Sequence, residues 1–393
     1  MTPAAAENGL CDNSLHVAIV LSGLGAGGAE RVVSILSREW VETGHQVTVI
    51  CFESEKALSY YPLDPRINIR QLGLSPVRAG PFVAVGAVMR RVYVLRQVFG
   101  EISPDVIISY LSRTNILTLL SSRGMGVPVI VSERNNPNMQ HLGFTWNFLR
   151  RVTYRYAVGM VVMTKAVLQY FPKSLRARSW VIPNPVIIPR DLPKKQIDSV
   201  QNGKTLTAVG RLVHQKGFDL LINAFATVAP AFPDWKLVIW GEGPERASLE
   251  RLRAAVGLND RVLLPGISEH PGGWVEGSDA FVLSSRYEGW GNVLLEAMAS
   301  GLAVVSFDCQ WGPSEMIQDG VDGLLVPRED LTALSEALAK IMEDQGLRER
   351  LGAKAAAAVR RYSHDRIVAT WNLVLATAVK RKSPLKPAGE ASL

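Results

Sequence analysis

Two carboxylates in the second half of the chain, Glu288 and Glu296, have the spacing of a ligand site. They lie in the stretch SSRYEGWGNVLLEAMASGLAVVSFD, where a predicted strand ends at Ser285 and a predicted helix begins near Asn292, a favourable N-cap residue. Apolar residues surround Glu296, so we expect its side chain to be buried against a partner. The alternative is a surface glutamate favoured by the helix dipole. Carboxylates at the carboxyl end of a strand suit hydroxyl-rich ligands such as a ribose and a sugar.

Two cations, Arg211 and Lys216, supply the opposite charge in the stretch AVGRLVHQKGFDLLINAF. Arg211 follows a predicted strand, and Lys216 precedes a helix that we expect to begin near Phe218. A bidentate guanidinium and an ammonium at the end of a strand are the groups that a diphosphate requires. By itself this segment is equally compatible with a pair of solvated surface cations. The two carboxylates in the same half of the chain favour the binding interpretation.

A glycine-rich turn near the start of the chain raises a competing interpretation. In HVAIVLSGLGAGGAERVV, glycines 23, 25 and 28 follow an apolar strand in the G-x-G-x-x-G register of dinucleotide-binding folds. Glu53 follows the next strand, near the usual position of the ribose-binding acid. A dehydrogenase, however, would leave its chemistry to a catalytic domain with its own acid or base cluster. Because the second half of this chain has the fuller set of anion-binding features, we predict no nicotinamide or other cofactor.

The elements that must position these residues alternate between apolar strands and amphipathic helices in both halves of the chain. This alternation predicts an α/β fold of two doubly wound parallel-sheet, Rossmann-like domains that face each other across a cleft. The proline-rich segment VIPNPVIIPRDLPKKQIDSVQNGK reads as a linker. We predict an N-terminal domain over residues 1–190, a C-terminal domain over residues 191–365, and a final helix with a mobile tail over residues 366–393.

Composition restricts the class of protein. With 393 residues, 47% of them apolar and 20% charged, the chain is long enough for two globular cores. The scattered cysteines Cys11, Cys51 and Cys309 indicate a reducing compartment rather than disulfides or a zinc site. Neither a signal peptide nor an apolar run long enough to cross a membrane is visible. We therefore expect a cytoplasmic protein.

Four motifs occur in an order that resembles the retaining nucleotide-sugar glycosyltransferases of family four: VGR…KG, WGEGPE, YEGWGNVLLEAMASGLAVV and GPSEMIQDGVDGLLVP. The opening GGAERVV…LSREWVETGHQVTVI is also similar, and the resemblance covers most of residues 15–330. It implies the two-domain GT-B fold. It further implies that Arg211 and Lys216 hold the donor diphosphate, that Glu296 binds the nucleotide ribose, and that Glu288 contacts the donor sugar.

The same resemblance extends the predicted site. We assign catalytic roles to Arg211, Lys216 and Glu288. In addition to Glu296, the predicted donor-binding residues are Gly25, Gly27, Gly28, Gly210, Gly241, Ile267, Trp290, Gly291, Asn292 and Val293. The turn at residues 23–28 would let the backbone approach the donor phosphate or the acceptor, and the backbone of Ile267 would meet the base.

Acceptor binding is assigned to Arg134 and Asn135. Relatives often have a histidine after the strand represented here by VPVIVSERNNP, and Arg134 stands at that position. This departure puts a histidine-based role in doubt. The arginine would anchor a phosphate or an acceptor hydroxyl, and the alternative is a structural pairing with Glu133 or another acid.

The first half of the chain is basic. Residues 1–190 contain 20 lysine and arginine residues against 11 acidic ones, a net charge of +9, whereas the remainder carries −2. Two predicted helices in this half are both basic and amphipathic, so they predict contact with an anionic membrane surface. The alternative for each helix is that its apolar stripe packs on the core while its arginines stay solvated. The residues concerned are Val85, Val88, Val92, Leu95 and Phe99 with Arg90, Arg91 and Arg96, and Trp146, Leu149, Val152 and Tyr156 with Arg150, Arg151 and Arg155.

The sequence therefore predicts a retaining glycosyltransferase of cell-surface polysaccharide synthesis. No Asp-x-Asp motif is present, so nothing in the sequence demands a metal to carry the diphosphate. The stretch SFDCQWGPSEMIQDGVDGLLVP resembles enzymes that extend lipid-linked oligosaccharides or exopolysaccharide repeats. This similarity implies galactose or N-acetylgalactosamine from UDP as donor, a lipid-diphosphate-linked saccharide as acceptor, and work at the inner face of the cytoplasmic membrane.

Four alternatives stay open to different degrees. A mannosyltransferase that uses GDP-mannose shares the donor chemistry. A UDP-sugar epimerase shares the architecture but would need acid and base residues for proton transfer at a sugar carbon. A non-catalytic sugar-nucleotide-binding module is disfavoured by the intact set of charged residues. Nucleic-acid binding is disfavoured because aromatic residues are not interleaved with the arginines as in a stacking platform.

Overall fold

A computed structural model describes residues 14–25, 27–53, 58–74, 81–135, 137, 140, 142–186, 204–270, 272–310 and 312–382. They divide into two compact units. The first unit comprises the described residues up to 134, those from 140 to 182 and those from 367 onward, and the second comprises those from 135 to 139 and from 183 to 366. The predicted domain boundary at residues 190 and 191, most of the predicted linker and the predicted mobile tail from residue 383 onward lie outside the described residues.

The first unit is a parallel α/β domain. Its strands are β1 (His16–Leu21), β2 (Gln46–Cys51), β3 (Asn68–Gln71), β4 (Val106–Tyr110), β5 (Val129–Glu133), β6 (Gly159–Val162) and β7 (Ser179–Val181). They form one seven-stranded sheet in the order β3-β2-β1-β4-β5-β6-β7, with every pair parallel. The intervening helices are α1 (Gly28–Glu42), α2 (Pro81–Ile102), α3 (Ser112–Ser121), α4 (Phe144–Thr153), α5 (Lys165–Gln169) and α6 (Lys173–Arg176). The central strands are buried on both faces, which explains their continuous apolar runs.

The second unit repeats this plan. Its strands are β8 (Lys204–Val209), β9 (Trp235–Trp240), β10 (Val262–Gly266), β11 (Ala280–Leu283), β12 (Ala303–Asp308) and β13 (Leu324–Pro327). They form a six-stranded parallel sheet in the order β10-β9-β8-β11-β12-β13. The helices are α7 (Phe218–Val228), α8 (Arg246–Ala255), α9 (Asn292–Ala299), α10 (Pro313–Met316), α11 (Leu331–Glu343) and α12 (Gln345–Ala358).

The last helix, α13 (His364–Lys382), packs on the first unit from Ile367 onward. Trp371 is fully buried there, with its ring edge-on to that of Trp40 at a centroid distance of 6.4 Å. The indole nitrogen of Trp40 donates a hydrogen bond of 2.9 Å to Asn372. The helix that the sequence predicts after residue 365 thus completes the core of the first unit.

Both sheets have a topological switch point, where the strand order reverses beside the first strand of the unit. In the first unit it lies between β1 and β4, and in the second between β8 and β11. Loops diverge there at the carboxyl ends of the strands, which is where open α/β sheets bind ligands. The prediction of two doubly wound, parallel-sheet α/β domains is confirmed. Within the described part of the chain, no helix is long and apolar enough to span a membrane.

Candidate functional site

A buried ion pair lies at the switch point of the second sheet. The ammonium of Lys216, in the loop after β8, donates to Oε1 of Glu288, in the loop after β11, at 2.6 Å. The hydroxyl of Ser285 donates to the same oxygen, also at 2.6 Å. The side chains of Lys216 and Glu288 are only 15% and 7% exposed, so these hydrogen bonds must offset the cost of removing both charges from water.

Glycines bring the backbone close enough for this pair to form. Gly217 adopts a left-handed conformation with φ of +62°, and a Cβ atom there would lie 2.1 Å from the carbonyl oxygen of Ser284. The side chain of Lys216 runs over Gly210, where a Cβ atom would lie 3.1 Å from Cε of the lysine. Gly241, at the end of β9, approaches the carbonyl of Gly210 so closely that a Cβ atom would lie 1.9 Å from its oxygen. The predicted site glycines 210 and 241 therefore set the shape of the loop that carries Lys216.

The second predicted cation, Arg211, is exposed. Within the described residues, its guanidinium has neither a hydrogen bond nor a salt bridge. Ile267, which follows β10, is 53% exposed. Both residues are therefore accessible from solvent beside the carboxyl edge of the second sheet.

The start of α9 differs from the sequence prediction by one residue. Gly291, with φ of +97°, is the N-cap, and Asn292 is the first helical residue rather than the cap. The side chain of Asn292 instead accepts a hydrogen bond of 2.5 Å from Asn184. No side chain caps this helix, although the backbone amide of Leu294 donates to the carbonyl of Gly291 at 3.0 Å. The positive end of the helix dipole at this terminus favours an anion.

Three other residues of this helix region have different surroundings. Glu296 is half-buried rather than buried, with its carbonyl accepting from Ser300, and Val293 is also half-buried. Trp290 is buried, and its ring packs edge-on against Tyr362 at 5.4 Å. Trp290 can therefore contribute to a ligand site chiefly through its backbone.

The thiol of Cys309, on the loop after β12, is also part of this region. Burial, followed by the negative charge of Glu288, raises its pKa to about 12. A thiol with so high a pKa stays protonated and unreactive near neutral pH. Cys309 therefore contributes packing rather than a nucleophile.

Sequence reasoning missed a second connection between the same two loops. Arg286 forms a bidentate ion pair with Asp219, with nitrogen to oxygen distances of 2.8 and 2.6 Å. Burial by itself would raise the pKa of Asp219, but the hydrogen bonds from Arg286 outweigh it and hold the pKa below its usual value. Gln215 donates to the carbonyl of Tyr287 at 2.9 Å. Opposite charges three residues after Lys216 and two before Glu288 were the signal that could have revealed this pair.

In the first unit, the glycine turn after β1 is closed by Glu53. The carboxylate of Glu53 accepts a hydrogen bond of 3.0 Å from the backbone amide of Leu24. A Cβ atom at Gly23 would lie 2.0 Å from that carboxyl group, whereas nothing lies within 4 Å of the corresponding position at Gly25. Gly27 caps α1, and Gly28 begins it and is exposed. The acid that resembled a ribose ligand therefore binds the turn itself.

Arg134, predicted to bind the acceptor, lies in the interior of the first unit. It is 6% exposed, its Nε donates to Ser132 at 2.8 Å, and its guanidinium lies over the rings of Tyr110 and Trp371 at 5.1 and 5.7 Å. Asn135 is exposed. Acceptor binding by either residue stays a prediction.

The neighbouring Glu133 does not form a salt bridge with Arg134. It is 1% exposed and accepts hydrogen bonds from the hydroxyls of Tyr154 and Ser112. Burial raises its pKa, against the opposing effects of these hydrogen bonds and of the nearby charge of Arg150. The structural pairing of Arg134 with Glu133 that the sequence left open is therefore not formed.

On the basic helix α4, the predicted stripe residues Trp146, Leu149 and Val152 are half-buried, Tyr156 beyond the helix is exposed, and Arg150 is buried. Arg150 is 4% exposed and donates to Asn147 at 3.0 Å and to Tyr170 at 2.6 Å, so it is not a solvated arginine. The apolar residues Phe144 and Phe148, by contrast, are 88% and 57% exposed. The guanidinium of Arg150 also lies over the rings of Tyr170 and Phe171, at 5.0 and 5.9 Å, so aromatic and polar partners accommodate the buried charge.

Helix α2 shows a similar exposed stripe. Leu95 and Phe99 are buried, as the predicted apolar spacing requires. Val85, Met89 and Tyr93, which follow one another at four-residue intervals, are 64%, 62% and 61% exposed. These three apolar residues therefore form a stripe along a solvent-exposed face of α2.

Comparison with known proteins assigns a family to each half of the chain. Residues 26–190 match the model of "Glycosyltransferase Family 4", and residues 190–358 match the model of "Glycosyl transferases group 1". A structural neighbour is sucrose-phosphate synthase from Thermosynechococcus elongatus, with a TM-score of 0.80 at 18% identity, covering 92% of this chain and 98% of that one. At that identity the likeness concerns the fold.

Two curated relatives differ in how much of their length is matched. The chain is 26% identical over 92% of its length to a Campylobacter jejuni enzyme, of which it covers 98%. That relative is an α-1,4-N-acetyl-D-galactosaminyltransferase acting on GalNAc-α-(1→4)-GalNAc-α-(1→3)-diNAcBac-PP-undecaprenol. The present chain is also 36% identical, over 57% of its own length, to an exopolysaccharide phosphotransferase of Streptomyces coelicolor. It spans only 24% of that protein.

Proposed function

Because the chain belongs to the family 4 and group 1 glycosyltransferases and has the GT-B fold, we propose that it is a retaining enzyme that transfers a sugar from UDP to a lipid-diphosphate-linked saccharide. The observation that carries this proposal is the buried Lys216–Glu288 ion pair at the switch point of the second sheet. It is supported by the names of relatives that build lipid-linked oligosaccharides and exopolysaccharides. The polymer would be a cell-surface polysaccharide.

The second unit would bind the donor. Lys216 and the exposed Arg211 are suited to the diphosphate, since both cations follow the same strand. Within the described residues, Arg211 has no carboxylate partner and Lys216 has only Glu288. The N-terminus of α9, which no side chain caps, would attract a phosphate through the helix dipole. Glu296, the fifth residue of that helix, would accept hydrogen bonds from the ribose hydroxyls. Glu288 would accept a hydrogen bond from a hydroxyl of the donor sugar.

The chemistry would need no nucleophile from the protein. The bond between the anomeric carbon and the phosphate oxygen breaks, the acceptor oxygen bonds to the same face of that carbon, and the departing phosphate takes the acceptor proton. Arg211, Lys216 and the N-terminal dipole of α9 would offset the charge that develops on the diphosphate, which is the work that a metal ion does in other sites. Glu288, already held by Lys216 and Ser285, would orient the sugar rather than attack it.

The first unit would bind the acceptor and contact the membrane. Its excess of basic residues suits a diphosphate-linked lipid and anionic headgroups. Phe144, Phe148 and Arg151 are exposed on α4, and Arg155, in the short 3-10 turn that follows the helix, is also exposed. Aromatic residues beside arginines on one exposed helical face suit the boundary between headgroups and acyl chains. We propose that the enzyme works there, at the inner face of the cytoplasmic membrane.

Radiolabelled nucleotide sugars test the function directly. The purified protein is incubated with labelled UDP-galactose, UDP-N-acetylgalactosamine or GDP-mannose and a membrane extract, and the lipid fraction is counted. Label in the lipid fraction from a UDP-sugar is expected, with the α-anomer in the product. Transfer from GDP-mannose alone would replace the donor assignment, and conversion of free UDP-sugar into its epimer without transfer would contradict the function.

A further inference from the structure

The two loops of the donor site are held together mainly by side chains. Strands β8 and β11 pair at Leu206 with Ala280 and at Thr207 with Phe281, and this pairing stops two residues before each strand ends. Beyond that point, the backbone amide of Arg286 donates to the carbonyl of Gln215 at 2.8 Å, and other links use side chains. The relative position of Lys216 and Glu288 is therefore not fixed by sheet hydrogen bonds.

Arg286 makes the largest share of these links. Its Nη1 donates to the carbonyl of His214 at 2.8 Å and to Oδ1 of Asp219 at 2.8 Å, and its Nη2 donates to Oδ2 of Asp219 at 2.6 Å. Its side chain is 12% exposed. Arg286 lies two residues before Glu288, and the groups it binds lie two residues before and three residues after Lys216. One guanidinium thus spans both sides of the loop that carries the lysine.

This fork has a geometric consequence. A guanidinium that binds a carboxylate through two parallel hydrogen bonds fixes orientation as well as distance, which an ammonium cannot do. Asp219 is itself held in the first turn of α7, where the helix dipole favours a negative charge. Through Arg286, the loop of residues 284–288 is therefore anchored to helix α7.

We infer that Arg286 and Asp219 are positioning residues that set the separation of Lys216 and Glu288 for donor binding and transfer. The inference rests on the proposed function for the roles of Lys216 and Glu288. Arg286 is not assigned to the donor phosphates, since its two terminal nitrogens are already engaged by Asp219 and His214. It acts through Lys216 and Glu288.

The kinetic test compares variants in the full-length protein. Arg286→Gln and Asp219→Asn are expected to lower kcat about 10- to 100-fold at a temperature where both variants remain folded, since a small misplacement of binding groups has that effect. Arg286→Lys keeps the charge without the fork and is expected to recover only part of the loss. The control is Arg350→Gln, which removes an exposed ion pair with Asp344 in the same unit and should retain wild-type kcat.

A double-variant comparison separates positioning from a merely structural role. If Arg286 acts through Lys216, adding Arg286→Gln to Lys216→Met should cause no further loss of UDP binding, measured by calorimetry. Additive losses, or wild-type kcat in both Arg286→Gln and Asp219→Asn, would overturn the inference.

Hydrogen exchange provides a readout that needs no donor. Asp219→Asn is expected to speed amide exchange in residues 210–217 and 284–291 while leaving β12 protected. Unchanged exchange in both loops would refute the positioning role even if transfer activity were never found. Absence of nucleotide-sugar transfer by the wild-type protein, with faster exchange in the variant, would instead refute the proposed function and leave the loop connection intact.

Discussion

Lys216 and Glu288 are 72 positions apart in the sequence, yet their side chains meet at 2.6 Å in a nearly buried ion pair. The strand order of the second sheet makes this contact, since β8 and β11 are neighbours on either side of the switch point. The pair lies where a parallel sheet leaves a crevice for ligands, so its stability and its function can be separated by substitution.

Removing the lysine should cost more stability than removing both partners. Lys216→Met leaves the Glu288 carboxylate buried without its cation, a loss of about 3–5 kcal/mol in the free energy of unfolding. Adding Glu288→Gln should recover much of that loss without restoring transfer. Urea unfolding and the label-transfer assay measure the two effects, and a double variant with near-normal transfer would contradict the site.

The close approach at Gly217 can be tested against a glycine with a similar backbone. Gly217→Ala forces a Cβ atom to 2.1 Å from the carbonyl oxygen of Ser284, whereas Gly257, with φ of +70°, has nothing within 4 Å. Gly257→Ala should therefore cost only the left-handed strain, about 1 kcal/mol. Gly217→Ala should cost distinctly more and weaken UDP binding. Equal losses of unfolding free energy in the two variants would show that the loops relax without strain.

Membrane contact should depend on the exposed face of α4 and on the 3-10 turn that follows it. Replacing Phe144 and Phe148 by serine, or Arg151 and Arg155 by glutamine, is expected to reduce flotation with vesicles of phosphatidylglycerol and phosphatidylcholine. Added salt should weaken the binding that the arginines provide. The matched control is Arg38→Gln on α1, an exposed arginine paired with Glu42. Flotation that survives both pairs of substitutions would reject this surface.

Glu133 gives a pH dependence with a definite sign. Because burial raises its pKa above the ordinary value of 4.5, the carboxyl group favours folding most when protonated. That contribution is present below the unfolded pKa and is lost as the pH rises through the folded pKa.

Glu133→Gln should therefore gain stability relative to the wild type as the pH increases from 4.5 towards neutral. Urea unfolding at a series of pH values measures the difference, with Glu101→Gln, at an exposed glutamate, as the control. A wild-type to Glu133→Gln difference that does not vary with pH would contradict the assignment.

Much of the candidate donor site in the second unit could be predicted, because its residues lie in short sequence segments. A strand, a short glycine-containing loop and a helix follow one another within residues 204–228 and again within residues 280–299, so the residue types at the carboxyl ends of β8 and β11 can be identified from spacing. Glu296 and Asn292 were predicted on the correct helix. The N-cap was misplaced by one residue, because the chain leaves the helical conformation at Gly291, which has a positive φ, and Asn292 is already helical.

By itself the sequence determined the alternation of strands and helices, the parallel sheets and the charged residues at the strand ends, because apolar periodicity and loop chemistry act over short distances. Tertiary structure decided which of those charges meet. It turned Arg150 inward, bound Glu53 to the glycine turn, joined Arg286 to Asp219 and returned α13 to the first unit. These outcomes depend on which side chains the fold brings together and buries. A buried charge is costly unless it is hydrogen-bonded or paired, and its partners can come from distant parts of the sequence.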